Sequence, residues 1–302
     1  MIKQNDKLLL VGDNPFHNIS HLSQERARER TEDPSNPKFA ASLILTALDN
    51  GANGFTFSVS ETTLNILKEL KANGSINHLS LCPIVPYAFE YVRLATQLGG
   101  IPGLVKKFGV DMVKSGNVKA IGFGLKGVIT TDPKSIMKTY LSYEISRIKT
   151  AADTKVNLDS VLLHQLITDM ALALNMDWLF KSYIDFLLSQ KITPGFNTGN
   201  FSFLVNKFME WNIDLNKIVI AAPFNKIGFQ VTPSIEECEK SLSLLPQPNV
   251  IAISILAAGY IEPKEAIEYI AALPNIKGVA IGVSKEKHAK TTFALLKKIL
   301  IV

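Results

Sequence analysis

The sequence is poor in cysteine. It has two, Cys82 and Cys238, far apart and in no Cys-x-x-Cys pattern. A disulfide framework is therefore excluded as the organising device, and a reducing compartment, the cytoplasm, is the expected location. Long apolar runs are also missing. No stretch approaches the roughly 18 residues of a spanning helix, and the opening LLLV is too short for a secretory signal, so no membrane is expected as partner. A basic stripe is lacking too. Lys and Arg number 32 against 27 acidic residues, a net charge of +5, but they are scattered, and the pairs Lys106-Lys107 and Lys297-Lys298 read as solvated helix faces. Nucleic acid is not an expected partner, whereas the mild excess of positive charge favours a small anionic substrate. Finally, no tract rich in Pro, Gly or Ser divides the 302 residues, so residues 1–302 are expected to form a single domain.

What is present is a rhythm. Short β-branched runs fall at 7–11, 54–59, 79–85, 118–123, 159–164, 192–197, 217–222, 250–256 and 278–283. Most are continuously apolar rather than alternating, which is how strands buried on both faces of a parallel sheet read. Amphipathic segments at 38–51, 61–74, 133–149, 263–273 and 285–300 lie between them. Asn50-Gly51 is a stop signal, Ser60 is an expected N-cap, and Asp132-Pro133 is a cap followed by proline at the first helical turn. Repeated βα units without a linker predict an α/β protein, a (β/α)8 TIM barrel, with a doubly wound open sheet as the alternative. Nine strand candidates exceed eight, so an extra strand and helix are expected as an insertion around 100–132. The GFGLKG at 122–127 matches GxGxxG, but VITTDP follows where a helix should start, so it is not read as a dinucleotide fingerprint.

In a barrel, chemistry sits where the strands end. Behind the first strand come Asp13, Asn14, His17 and His21; behind the second, Thr56, Ser58 and Glu61; behind the third, Pro83, Pro86 and Tyr87. His164-Gln165 follow the strand at 159–164, with Asp169 a turn later, and Asn197, Thr198 and Asn200 follow the next. Asn225 and Lys226, then Gly259 and Tyr260, then Gly282, Ser284 and Lys285 complete the rim. His164 is the candidate proton carrier, with Asp13 and His17 beside it and Asn14, Gln165, Asn197 and Asn225 orienting substrate. Lys226 is a candidate Schiff-base lysine if desolvation lowers its pKa. Gly259, Gly282, Ser284 and Lys285, at the start of a helix behind the last strands, are a candidate phosphate site. Asp13, His17, His21 and His164 could together hold a metal, but no HExxH or HxH pattern supports one, and no metal ligand is assigned. Each feature also has a purely structural counterpart: an Asx turn at Asp13, a rim lysine, a serine N-cap.

The order of these pieces resembles the aldo-keto reductases, an NADP(H)-binding barrel family. The stretch 45–70 is similar to that family's helix, its strand bearing a catalytic aspartate and the helix that follows. Residues 140–165 resemble the helix and strand ending in the catalytic histidine, and GFNTGNF at 195–201 is similar to "GvSNf". The stretches 251–259 and 279–296 look like the two last strands, which in the family contact the cofactor. On this register 118–123 is the strand outside the barrel. The resemblance implies the fold and NADP(H) ahead of a metal. It does not imply the usual mechanism, because Thr56 stands at the aspartate position, SVSETT leaves no room for the tyrosine loop, and LCPIVPY carries no lysine. The expectation is a small-molecule enzyme, an atypical NADP(H) oxidoreductase. A lyase or aldolase using Lys226 or a metal, and a non-catalytic binding barrel, are the alternatives. A homo-oligomer is compatible with all three.

Overall fold

The computed structural model describes residues 7–17, 33–86, 96–97, 99–100, 107, 132–153, 155–156 and 158–301. Eight parallel strands close into a barrel in chain order. They are β1 (Leu8–Gly12), β2 (Gly54–Ser58), β3 (Ser80–Val85), β4 (Ser160–Leu163), β5 (Thr193–Asn197), β6 (Val219–Pro223), β7 (Val250–Ile253) and β8 (Ile276–Gly282). Closure runs from Leu8 opposite Gly278 to Gly12 opposite Gly282. The TIM-barrel expectation holds and the open sheet is excluded. The candidate strand at 118–123, and the insertion to which it was assigned, lie outside the described residues apart from Gly100, Lys107 and Asp132; the barrel closes without that strand.

Nine α-helices occur among the described residues: α1 (Pro37–Asp49), α2 (Glu61–Ala72), α3 (Pro133–Ala152), α4 (Gln165–Ala173), α5 (Asp177–Ser189), α6 (Phe201–Glu210), α7 (Ile235–Ser243), α8 (Pro263–Ala272) and α9 (Glu286–Leu300). The caps follow their chemistry. Ser60 accepts from the Thr63 amide and Thr63 returns the bond, a capping box that fixes the start of α2. Asp132 accepts from the Lys134 and Ser135 amides, and Pro133 occupies the first turn of α3, where its missing N–H costs nothing. No helix among the described residues is long and apolar enough to cross a membrane.

The strands are apolar on both faces because the barrel has two cores. Leu8, Leu10, Cys82, Leu162, Val219, Ala221 and Ile251 fill the interior. Leu9, Val11, Phe55, Val161, Phe196 and Ile220, on the opposite parity, face the helices. Alternate side chains of one strand thus serve different layers, as the period of two requires. The interior is tight: a Cβ at Gly278 would run into the Leu8 carbonyl of the neighbouring strand. Phe196 shows how the outer layer positions the mouth. It is fully buried, edge-on to Phe208 at 5.0 Å and tilted against Phe180 at 5.6 Å. Its neighbour Asn197 is thereby aimed to the inner side of the barrel end.

Candidate active site

The inward parity carries to the C-terminal strand ends Gly12, Ser58, Ile84, His164, Asn197 and Gly282, which line one cavity of about 1430 Å³. That exceeds the roughly 300–1,000 Å³ of an ordinary small-molecule site.

Asp13 follows β1 and is only 4% exposed. Its Oδ2 accepts the Ser58 backbone N–H at 2.7 Å and faces His17 Nε2 at 3.1 Å. A buried carboxylate left unpaired would be costly; here one oxygen ties the ends of β1 and β2 together and also holds a histidine. The turn is set by a 3-10 segment, Asn14–His17, in which Phe16 is fully buried and its N–H donates to the Asp13 carbonyl at 2.8 Å. Asn14 and Pro15 line the cavity; His17 stands behind Asp13 as its partner, outside the lining.

His164 ends β4 and is the N-cap of α4. Its Nδ1 accepts from the Leu166 N–H at 3.2 Å. An acceptor Nδ1 carries no proton, so the geometry assigns the neutral tautomer with hydrogen on Nε2. Burial lowers its pKa below the usual imidazole range, opposed by the carboxylates of Asp13 and Asp169. Protonation at Nδ1 would also break the cap. The ring is thus kept as a neutral hydrogen-bond donor.

Asp169, one turn along α4 beyond Gln165, clamps the β5 loop. Thr198 Oγ1 donates to its Oδ1 at 2.6 Å and the Gly199 N–H to its Oδ2 at 3.0 Å. The same Thr198 oxygen accepts the Asn200 N–H, so the turn after β5 is rigidly built. Within this frame Asn197 Oδ1 is buried, and no group among the described residues donates to it. A buried amide oxygen with no donor costs free energy until a ligand supplies one.

On the opposite rim, β7 ends at Ile253 rather than near 256. The reason is backbone conformation: Ser254, Ala257, Ala258 and Gly259 all take positive φ, at 55°, 46°, 60° and 93°. Three non-glycine residues in the left-handed region are strained, a state that persists only where the surroundings enforce it. Leu256, at φ −83° and ψ 1°, lies among them, and the tight turns so formed spend the Ala257, Gly259 and Tyr260 N–H groups on the carbonyls of Ser254, Leu256 and Ala257. Gly259, Gly282, Ser284 and Lys285 all line the cavity here, as does His288. Helix α9 starts at Glu286 with Lys285 as N-cap and no side chain on its first amides, so Ser284 does not cap it. Gly282 is required: a Cβ would meet the Pro15 ring at 2.8 Å, so glycine lets the β1 turn close over β8.

Besides His17, two expected residues are not in the cavity. Asn225 is 1% exposed and spends its amide on the Phe229 backbone and the Ser254 carbonyl, holding the β6 loop to the β7 loop rather than contacting substrate. Lys226 is 58% exposed in its side chain and ion-paired to Glu265 at 2.8 Å. That pairing raises its pKa, the reverse of what a Schiff-base lysine needs. Thr56 donates its hydroxyl to the Cys82 carbonyl at 2.9 Å, so it is spent on the barrel wall. Among the described residues no three His, Cys, Asp or Glu side chains converge as a metal site; His21 lies outside them, as does Tyr87. Asp169 is a residue whose role the sequence did not show, although its i, i+4 spacing from Gln165 puts both on one face of α4. His288 and Met170 were missed altogether.

No family model matches this chain, and no curated protein matches it. Its fold does have solved counterparts. Two structures of a Pseudomonas aeruginosa protein assigned as an aldo-keto reductase superpose with a TM-score of 0.59 and 12% sequence identity, over 97% of this chain and 90% of theirs. At that identity the likeness shows a shared (β/α)8 barrel fold.

Proposed function

We propose that the chain is an atypical NADP(H)-dependent oxidoreductase acting on a small carbonyl compound or the corresponding alcohol. The observation that carries this reading is the gathering of His164, the donor-less Asn197 Oδ1 and the group Gly259, Gly282, Ser284 and Lys285 around one cavity. The residues fit such a cofactor. Asn197 Oδ1 lacks the donor that a carboxamide N–H would supply. The start of α9, uncapped by any side chain, offers backbone N–H groups, and Lys285 offers its ammonium, for phosphates. When bound, NADPH supplies the hydride.

The chain's own residues do the rest. His164, with its proton on Nε2, donates a hydrogen bond to the carbonyl oxygen and stabilises the charge that develops there. Removal of one such donor typically costs about 10²–10³ in rate. A neutral imidazole is a poor proton donor, so the last proton comes from solvent at the mouth rather than from this ring. Asp13, fixed by the Ser58 amide and His17, keeps a negative charge near His164 and orders the β1 turn above the substrate. Asp169 holds the β5 turn so that Asn197 keeps its place. The site has no tyrosine–lysine pair to replace these roles among the residues that line it.

A calorimetric titration with NADPH, alone and after Lys285→Ala, tests the reading. Saturable micromolar binding in the wild type, weakened about tenfold in the variant and more at low salt than at high salt, is expected. Absence of binding in the wild type rejects the oxidoreductase reading. Binding without NADPH oxidation in the presence of any carbonyl compound favours a binding barrel instead.

A further inference from the structure

The mouth does not end at the cavity wall. Behind Gln165 and Asp169 a side chamber of about 400 Å³ opens between α4 and α6, walled by Leu172, Ala173 and Phe203. Gln165, Asp169, Ala173, Gly199 and Thr232 line both spaces, so the two are continuous. Glycine at 199 keeps the passage open, because a Cβ there would lie 2.5 Å from Gln165 Nε2 and 3.2 Å from Asp169 Oδ2.

The surface leading to the chamber is apolar where a solvent-facing helix should not be. Leu166 and Met170 line the cavity from α4, one turn apart, at 47% and 53% exposure. The core face of the same helix is carried by Thr168, Ala171 and Leu172. Leu166 and Met170 are therefore left over after the core is built. Phe203, on α6 across the chamber, is also exposed, at 38%. Among the described residues no lysine, arginine or histidine lines the chamber, and the one charged residue that does, Asp169, has both oxygens engaged by Thr198 and Gly199. An anionic group would meet a carboxylate and no cation there. The contrast with the other rim, where Lys285 and His288 line the cavity, is complete.

We propose that the substrate is amphipathic: its carbonyl end lies at His164, and an uncharged, extended apolar group runs over Leu166 and Met170 into the chamber between α4 and α6. This names the substrate class of the oxidoreductase reading and rests on it. It also revises the expectation of an anionic substrate, assigning the anion-binding rim to the cofactor alone.

The test uses straight-chain aldehydes with NADPH for turnover, and the matching primary amides, butanamide to nonanamide, as non-reacting ligands. The amide Kd is expected to fall about threefold to fourfold per added methylene, the usual gain for burying one. The gain should stop early in Ala173→Phe, which fills the chamber from an exposed position, and be reduced in Met170→Gln. A Kd independent of chain length, or a wild-type slope in both variants, overturns the inference. The redox reading fails separately: no aldehyde then oxidises NADPH while the amide slope remains.

Discussion

The two rims of the mouth recognise by different means. On the β7–β8 rim the backbone is strained, glycines admit close approach, and the start of α9 is uncapped by any side chain. On the β4–β5 rim side chains tie down the backbone near the site: His164 caps α4, Asp169 holds the Thr198 hydroxyl and the Gly199 N–H, and Asn200 caps α6. The first rim suits a ligand that brings its own charge and needs N–H groups. The second suits a reaction that needs a few side-chain atoms fixed in place. Where the chain leaves polar backbone unspent, it waits for a ligand; where it spends its side chains on its own backbone, it builds a rigid frame for the one or two groups left over.

The largest test of this contrast separates the two tasks of His164. Asparagine is a good N-cap but cannot reproduce the Nε2 donor. His164→Asn should therefore keep the melting temperature within a few degrees while lowering kcat by about 10²–10³. A parallel loss of stability and rate would instead mean that the residue only caps the helix. The wild-type kcat should also fall on acidification, and only below the ordinary imidazole range. The folded-state pKa of His164 is depressed by burial, so the active neutral form persists as pH drops through 6.5 and is lost nearer the lowered value.

A smaller effect is expected at Asp169. Asp169→Asn keeps the shape but turns an acceptor into a donor facing the Gly199 N–H or the Thr198 hydroxyl. A loss of about 1–3 kcal/mol is expected in denaturant titration, with KM rising more than kcat falls because Asn197 is displaced. Unchanged stability would show that the β5 turn is held by other means. The smallest effect is expected at Lys226→Ala. Removal of an exposed lysine paired with Glu265 should leave turnover unaltered; a large loss would restore the covalent reading.

The barrel was legible because strands buried on both sides must be apolar at every position. LLLV, VLL and VIAI carry that mark without help from their neighbours. The ends of strands then point to the mouth, which is why Asp13, Asn14, His164, Gln165, Asn197, Gly282 and Ser284 were found from order alone. The helices α4 to α7 were not read. In α4 the exposed Leu166 and Met170 add apolar residues to the wrong face and blur its period, and what hid the helix is what marks the apolar surface. Asn225 and Lys226 sit at an equivalent strand end, yet their loop folds the asparagine inward and the lysine out. A strand-end position fixes where the backbone leaves the barrel, but the hydrogen bonds of the loop decide where the side chain goes. Asp13 and His17 are expected beside His164 as catalytic groups; in the fold Asp13 lines the cavity and His17 holds its carboxylate from outside the lining.

The most direct test is the protonation state of His164 itself. Nitrogen-15 NMR of uniformly labelled protein, with the resonance assigned by its loss in His164→Asn, reports which ring nitrogen carries hydrogen and at what pH the ring charges. The account predicts a neutral ring protonated at Nε2 at pH 7, titrating below the ordinary imidazole range. A proton on Nδ1, or an imidazolium at neutral pH, would contradict it.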